Sequence, residues 1–208
     1  MVQKYGKFCI LGKNYTIMKG INIFLADGFE DIEALATCDV LRRGGLQVEL
    51  VSIKSDTAVS SSHGVDIDAE WALEDLELSS AGTNESDVMI FPGGMPGSKS
   101  LAACKPLIKA MKSHYAAGGT VAAICAAPGL VLSQLDDVKG VEFTCFDGFE
   151  PALEAKGAVF TPKPAVRSGR IITGRSAGHA LAFALEILGA IAPEKVEEVK
   201  HALFLQTL

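Results

Sequence analysis

Short apolar segments alternate along the chain with amphipathic segments of helical period. The apolar segments read as buried strands, and they cover residues Ile21–Leu25, 48–53, Val88–Phe91 and Thr120–Ile124. Helices are predicted over 30–43, around a stripe of Leu107, Ile108, Met111 and Tyr115, directly after Cys125, and over 176–188. Apolar strands that alternate with helices are typical of a parallel sheet covered on both faces. The predicted fold class is therefore α/β, a doubly wound parallel sandwich whose ligand sites lie at the carboxyl ends of the strands.

The remaining segments are shorter and more polar. Extended pieces at 58–60 and 65–67 suit an edge or a flap, a short helix is predicted to begin at 71–73, and 79–86 reads as a surface loop. A strand at 141–144, a helix at 151–155 and a hairpin over 165–173 are predicted after the Cys125 segment. Regular alternation begins only after Met18, so we expect residues 1–17 to be an N-terminal extension without function and 18–208 to form one domain.

Composition limits the classes of function. A net charge of −6 over 208 residues, with scattered Lys and Arg, gives no basic surface for a nucleic-acid backbone. The five cysteines are odd in number and show no two-residue spacing, which predicts reduced thiols in a cytoplasmic protein. No apolar run reaches the length of a membrane span, so no membrane partner is expected.

Cys125 is the first candidate for chemistry. It stands between a predicted buried strand and a helix start, flanked by small residues, with Pro128 in the helix's first turn. Small neighbours permit a strained turn that projects one side chain outward, as in a nucleophile elbow, and a helix N-terminus favours the thiolate. The alternative is a small buried cysteine that only fills space.

Glu33 is the second candidate. At about 100° per residue, it lies near the middle of a helical arc formed by Ile32, Ala36, Val40 and Leu41. A carboxyl group removed from water has a raised pKa and is suited to donate or accept protons. The alternative is an exposed acid that complements the helix dipole, a role that suits Glu30 and Asp31.

The loop at 92–97, which contains Gly93 and Gly94, follows a buried strand and is positioned to aim backbone N–H groups at an oxyanion. The N–H of Ala126 would complete that hole beside the thiol. A plain turn is equally compatible with the loop. A dinucleotide site is disfavoured, because the first strand-to-helix turn is not glycine-rich and Pro96 lacks a donor. We therefore expect no cofactor.

The four histidines show no metal-ligand spacing, so no metal site is predicted. His114 is expected on a solvated helix face and His201 near the C-terminus, where neither has a role. His63 in a loop and His179 in a first helical turn remain candidates to approach a neighbouring site or a second subunit. The charged run at 194–200 reads as a solvated helical face.

Three segments together resemble one known family. They are Asp27-Gly28-Phe29-Glu30-Asp31-Ile32-Glu33, Phe91-Pro92-Gly93-Gly94 and Ala122-Ala123-Ile124-Cys125-Ala126-Ala127-Pro128. Their order and spacing are similar to the ThiJ/PfpI superfamily, most of all its DJ-one branch, over nearly the whole chain from Met18. The resemblance implies a flavodoxin-like sandwich related to class I glutamine amidotransferases, and a homodimer. By position it implies an oxidisable nucleophile at Cys125, a protonated acid at Glu33, and oxyanion N–H groups from Gly94 and Ala126.

Two positions depart from the family pattern. Protease-like relatives carry a histidine directly after the elbow cysteine, and Ala126 stands there instead, which argues against a Cys-His peptidase. In the best-known member of the DJ-one branch a histidine follows a threonine in a Thr-His-Pro stretch near the cysteine. The matching run here, Thr144-Cys145-Phe146-Asp147, carries Phe146 instead. Cys145, beside it, is expected to be a core cysteine, with a resolving thiol as the alternative.

The resemblance implies a choice between two functions. In the first, Cys125 adds to a small reactive carbonyl, or to a glycated protein or nucleotide, and Glu33 moves protons, as in a glutathione-independent glyoxalase or deglycase. In the second, the same thiol serves a non-enzymatic redox sensor or holdase chaperone. Without an imidazole at 126 or 146, a glyoxalase would depend on Glu33 for proton transfer.

Overall fold

The computed structural model describes residues 7–10 and 13–205. The α-helices are α1 (Asp31–Arg43), α2 (Gly97–Ala103), α3 (Lys105–Ala116), α4 (Ala127–Leu130), α5 (Pro151–Glu154), α6 (Ala180–Ile191) and α7 (Val196–Ala202). The strands are β1 (Lys7–Ile10), β2 (Lys13–Ile17), β3 (Ile21–Leu25), β4 (Val48–Ser52), β5 (Ala58–Ser60), β6 (Asp66–Asp68), β7 (Trp71–Ala72), β8 (Leu76–Glu77), β9 (Val88–Phe91), β10 (Thr120–Ile124), β11 (Glu142–Phe143), β12 (Val159–Phe160), β13 (Ala165–Ser168) and β14 (Ile171–Gly174).

Seven strands form a central sheet in the order β13-β14-β10-β9-β3-β4-β7. Every neighbouring pair is parallel except β13 with β14, which form the predicted antiparallel hairpin at one edge. The strand order runs in opposite directions on the two sides of β3 and β9, which makes the sheet doubly wound. The predicted fold class is confirmed.

Each central strand divides its side chains between two apolar clusters, one on each face of the sheet. In β3, Ile23 and Leu25 belong to one cluster and Phe24 to the other. The first face is covered by α1 and α6, and the second by α2 to α5. On the second face Phe24 stacks on Phe91 of the neighbouring strand, with ring centroids 5.6 Å apart. Burial on both faces explains why these strands are apolar at nearly every position.

Three elements differ from the sequence prediction. Trp71 begins not a helix but the edge strand β7, where it pairs with Val51, and a 3₁₀ turn follows at Leu73–Asp75. The short helix α2 was missed, because its Gly, Ser and Ala residues give no apolar period. The long helix predicted from 176 starts with a 3₁₀ turn at Ala177–His179, and its α-helical part is α6.

The described part of 1–17 is ordered into strands. β1 and β2 form an antiparallel pair, and β2 pairs in parallel with β8 through Thr16 with Leu76 and Ile17 with Glu77. These strands make a separate three-stranded sheet beside the central one. The prediction that residues 1–17 carry no function stays a prediction.

His114 does not lie on a solvated face, contrary to the sequence prediction. It is 2% exposed, and its Nε2 is 3.0 Å from the Asp87 carbonyl oxygen and 3.1 Å from that of Thr120. These contacts link α3 to the amino ends of the strands. Burial lowers the pKa of His114. In contrast, the glutamates at 194, 197 and 198 are exposed, as expected of a solvated helical face. No helix within the described ranges is long and apolar enough to cross a membrane.

Candidate active site

The parallel strands bring the three predicted segments to one edge of the sheet. α1 follows β3, the 92–97 loop follows β9, and Cys125 follows β10. Because these strands are neighbours that run in the same direction, their carboxyl ends meet. A candidate active site is therefore built from the ends of three adjacent strands.

Cys125 occupies a left-handed backbone conformation, with φ of 65°. Its N–H donates to the Gly174 carbonyl oxygen at 3.0 Å, which continues the β10–β14 ladder by one step before the chain turns. A side chain other than glycine costs about 1–2 kcal/mol in this conformation, so the turn is a strained elbow of the kind predicted. The helix that follows is short: α4 has four residues, so local N–H groups rather than a long helix dipole act on the sulfur.

Glu33 is buried, with only 1% of its surface exposed. Its Oε2 accepts the Gly93 N–H at 2.7 Å, and its own N–H donates to the Glu30 side chain, which caps α1. Oε1 is also buried and has no conventional hydrogen-bond partner among the described residues. The thiol of Cys125 lies beside this carboxyl group and interacts with it by hydrogen bonding. The Glu33 carboxyl group is therefore positioned to exchange a proton with the sulfur.

Gly93 allows the acid and the thiol to meet. A Cβ atom at this position would lie 2.3 Å from Oε2 of Glu33 and 2.6 Å from Cβ of Cys125. Any larger residue would force the two functional side chains apart. The sequence prediction that the Gly93 N–H faces an oxyanion is wrong, because this N–H donates to Glu33.

Two further backbone N–H groups face the sulfur. Those of Ala126 and Gly94 form hydrogen bonds to Cys125 that lower the thiol pKa. Gly94 has φ of 92°, and a Cβ atom there would lie 2.4 Å from the Gly28 carbonyl oxygen, so glycine is required. The sequence assigned these two groups, together with the N–H of Gly93, to the stabilisation of negative charge.

The pKa values of Glu33 and Cys125 depend on each other. Burial raises the pKa of Glu33 to about 7, against hydrogen bonds from Cys125 and Gly93. Burial, followed by the charge and hydrogen bonding of Glu33, raises the pKa of Cys125 to about 12, whereas the sequence predicted an acidic thiol. Two buried acids in contact do not both ionise readily, so one proton is held between them. When Glu33 carries that proton, it has no negative charge to oppose a thiolate at Cys125. The thiolate still accepts hydrogen bonds from the N–H groups of Ala126 and Gly94.

The raised pKa of Glu33 predicts a pH-dependent stability. Between an unfolded pKa near 4.5 and a folded one near 7, the folded state binds the extra proton, so stability falls as pH rises through this window. The wild type should lose about 3 kcal/mol of unfolding free energy from this group between pH 4.5 and 7. Urea unfolding of wild type and Glu33→Gln across this range tests the prediction. The variant should lack this component, and identical pH profiles would contradict it.

Neither accessory candidate has a hydrogen bond to the Cys125 sulfur among the described contacts. Cys145 is fully buried in the apolar cluster of the second face, and burial raises its pKa to about 12. A resolving role would require that core to open, so the core alternative fits better. His63 is exposed on the turn between β5 and β6, and its Nδ1 lies 2.7 Å from Oδ2 of Asp31. The described contacts of His63 tie this turn to the start of α1 and include none with Cys125.

One group of side chains has a spacing that could hold a metal ion. Glu30, Asp31 and His63 each offer a ligand atom within 4.8 Å of the others. The carboxylate of Asp31 is already bonded to Ser61 and His63, and the Glu30 side chain caps α1. These residues therefore act in the structure as the contact between the β5–β6 turn and α1.

Two features of the site were not predicted from the sequence. Ile32 was assigned to the apolar face of α1 but is 55% exposed, because it lies about 100° from Glu33 and so at the edge of the apolar arc. Phe146 is attached to the elbow through its backbone, whose N–H donates to the Cys125 carbonyl oxygen at 2.8 Å. The sequence drew attention to position 146 only because Phe146 replaces a histidine of the family. That replacement gave no information on the backbone contact.

The chain is similar in sequence and fold to known proteins. A family model described as the DJ-1/PfpI family matches residues 19–190. The chain is similar to Protein dj-1beta of Drosophila melanogaster, with 34% identity over 186 residues that cover 89% of this chain and 96% of the relative. It is also similar to the glutathione-independent glyoxalase DJR-1.2 of Caenorhabditis elegans, with 33% identity over 177 residues, 85% of this chain and 90% of that protein. Among solved structures, oxidized DJ-1 of Toxoplasma gondii superposes with a TM-score of 0.80 at 26% identity, covering 89% of this chain and 98% of that one.

Proposed function

This chain belongs to the DJ-1/PfpI family, and from that premise we propose that it is a cysteine-dependent enzyme that converts 2-oxoaldehydes to 2-hydroxy acids without glutathione. One observation carries the proposal: the carboxyl group of Glu33 is buried and hydrogen-bonded to the Cys125 thiol, with Oε2 held by Gly93 and Oε1 unpartnered among the described residues. A similar chain that is named a glutathione-independent glyoxalase supports it.

The first step is addition of the Cys125 sulfur to the aldehyde carbon. A carbon–sulfur bond forms, the aldehyde oxygen becomes an alkoxide, and the product after protonation is a hemithioacetal. The N–H groups of Ala126 and Gly94, which face the sulfur, would stabilise the developing negative charge. The proton shared by Glu33 and Cys125 supplies the one that the alkoxide takes up.

The second step is an internal transfer of hydrogen. The Glu33 carboxylate removes the proton from the former aldehyde carbon, and the resulting enediol is reprotonated on the adjacent carbon. The aldehyde carbon is oxidised to a thioester while the ketone carbon is reduced to an alcohol, so no external oxidant is needed. Water then hydrolyses the thioester, which releases the 2-hydroxy acid and restores the thiol. If the thiol attacks an adduct of a 2-oxoaldehyde with an amine instead, the same steps would release the amine, as in a deglycase.

The test compares wild type with Glu33→Gln on methylglyoxal, with lactate as the measured product. Glutamine is neutral and fits the same space, with its oxygen free to accept the Gly93 N–H and its amide N–H directed to the sulfur. We expect lactate formation to fall by about 10²–10³-fold, the usual contribution of a general acid–base group. Alkylation of Cys125 should persist or accelerate, because the repulsive carboxylate charge is gone.

Loss of lactate formation in Glu33→Gln, together with retained alkylation of Cys125, supports the roles proposed for the two residues. Equal lactate formation by the two proteins would remove Glu33 from the chemistry. If wild type forms no lactate, the glyoxalase proposal is wrong.

A second candidate function is peroxide sensing by the same thiol. The pair of N–H groups at the sulfur and the unpartnered Oε1 of Glu33 would also hold the two oxygens of a sulfinate. Two molecules of peroxide would each oxidise the sulfur by two electrons and leave as water. In that case intact mass after mild peroxide would show two added oxygen atoms on Cys125 of a protein without turnover.

A further inference from the structure

Three exposed apolar side chains belong to the segments that carry the proposed chemistry. Ile32, Met95 and Phe146 are 55%, 43% and 48% exposed, although each is a large apolar residue. Ile32 precedes the acid, Met95 follows Gly94, and Phe146 is bonded through its N–H to the Cys125 carbonyl oxygen. Since these residues belong to three different segments that meet at the sulfur, we call them the apolar rim.

Phe146 is the best fixed member of the rim. Besides its backbone bond to Cys125, its ring meets that of Phe149 edge to face, with centroids 6.5 Å apart. Phe149 itself packs closely against Gly129 of α4. The approach is so close that a Cβ atom on Gly129 would lie 2.1 Å from the Phe149 carbonyl oxygen. A ring supported in this way is an ordered aromatic surface on the residue whose backbone is bonded to the elbow.

The charges near the rim disfavour an anionic substrate. Glu30 lies close enough to Glu33 to raise its pKa, and Asp31 follows it at the start of α1. Of the cations near this edge of the sheet, Lys54 is paired with the carboxylates at 27 and 56. Arg175 is bonded to Asp147 through Nη2, and its Nη1 is buried without a hydrogen-bond partner among the described residues. A carboxylate or phosphate placed against the start of α1 would therefore be opposed by Glu30 and Asp31.

We propose that the apolar rim, and Phe146 above all, selects uncharged aromatic 2-oxoaldehydes such as phenylglyoxal over small aliphatic ones such as methylglyoxal. The proposal rests on the proposed function, because it names the substrate class of the same site. An aryl group bonded to the carbonyl places its ring against Phe146 while the carbonyl carbon lies at the Cys125 sulfur. The product from phenylglyoxal is then mandelate, formed by the same internal hydrogen transfer.

The test separates recognition from turnover. Cys125 is alkylated with phenacyl bromide or with bromoacetone, two α-bromoketones that differ in an aryl against a methyl group. Peptide mass spectrometry measures the rate at Cys125, and the half-exposed Cys104 in the same sample corrects for the intrinsic reactivity of each reagent. In parallel, kcat/KM is measured with phenylglyoxal and with methylglyoxal. The proteins are wild type, Phe146→Ala, and Phe204→Ala as a matched loss of an exposed aromatic ring elsewhere.

We expect wild type to favour the aryl reagent at Cys125 by about tenfold after correction, consistent with one aromatic contact plus the apolar area that it covers. Phe146→Ala should reduce this preference to about one- to twofold and lower kcat/KM for phenylglyoxal more than for methylglyoxal. Phe204→Ala should keep the wild-type ratios.

Unchanged ratios in Phe146→Ala overturn the rim proposal, whether or not the enzyme is active. If wild type converts neither substrate, the proposed function fails, while the alkylation ratios still decide whether the rim recognises an aryl group. A second copy of the chain is the rival occupant of the rim. Dissociation of a dimer by Phe146→Ala in light scattering, with unchanged alkylation ratios, would assign the rim to that interface and overturn the proposal.

Discussion

Replacing Cys125 with glycine is expected to abolish 2-oxoaldehyde conversion and yet to give a more stable fold than Cys125→Ala. Both variants lack the sulfur, and loss of a nucleophile lowers turnover by about a thousandfold or more. They differ in the backbone, because residue 125 has φ of 65°, which glycine adopts freely and alanine does not. Relief of about 1–2 kcal/mol of strain exceeds the entropic cost of glycine, about 0.4–1 kcal/mol. The net difference should be roughly 0.5–1 kcal/mol in urea unfolding.

Cys104→Ala is the control for this comparison. Cys104 is a half-exposed free thiol at the junction of α2 and α3, outside the candidate site. Its loss should leave product formation unchanged. Turnover that survives in both Cys125 variants would show that another group performs the chemistry, and a less stable glycine variant would contradict the strain at the elbow.

Replacing Gly93 with alanine is expected to damage the site and the fold together. The added Cβ atom would overlap Oε2 of Glu33 at 2.3 Å and Cβ of Cys125 at 2.6 Å, and neither side chain is free to move away. Overpacking of this kind costs about 1–3 kcal/mol. A displacement of about 1 Å in a catalytic group lowers the rate by about a hundredfold. Urea unfolding and product formation from methylglyoxal measure the two effects.

Gly189→Ala provides the matched control. Gly189 lies inside α6, where a Cβ atom would make an ordinary contact of 3.6 Å with Val196. Alanine is favoured over glycine in a helix interior by up to about 1 kcal/mol, so this variant should be as stable as wild type or more so. Gly93→Ala with unchanged turnover would mean that the acid and the thiol do not need to approach as closely as the structure has them.

The sequence predicts the parts of the site that depend on local pattern. Strand ends, the elbow at Cys125 and the place of Glu33 on α1 follow from residues that are close together along the chain. The doubly wound topology then follows from the alternation of strands and helices, and it brings the three segments to one edge.

What the sequence could not predict depends on contacts between distant segments. The coupling of Glu33 to Cys125 depends on Gly93, sixty residues after Glu33, whose N–H holds the carboxyl group and whose missing side chain leaves room for the thiol. Burial, and not the helix dipole, then dominates the thiol pKa. His114 was placed on the wrong side of α3 for the same reason, since its partners are carbonyl groups at the ends of other strands.

The attachment of residue 146 to the elbow has a consequence for how this scaffold can diversify. The bond to Cys125 comes from the main chain, so any residue except proline can form it. A histidine, a phenylalanine or a smaller side chain can therefore be exchanged at 146 while the nucleophile keeps its geometry. With the apolar rim selecting the substrate as proposed, single substitutions at this one position would change that selection without rebuilding the reactive centre.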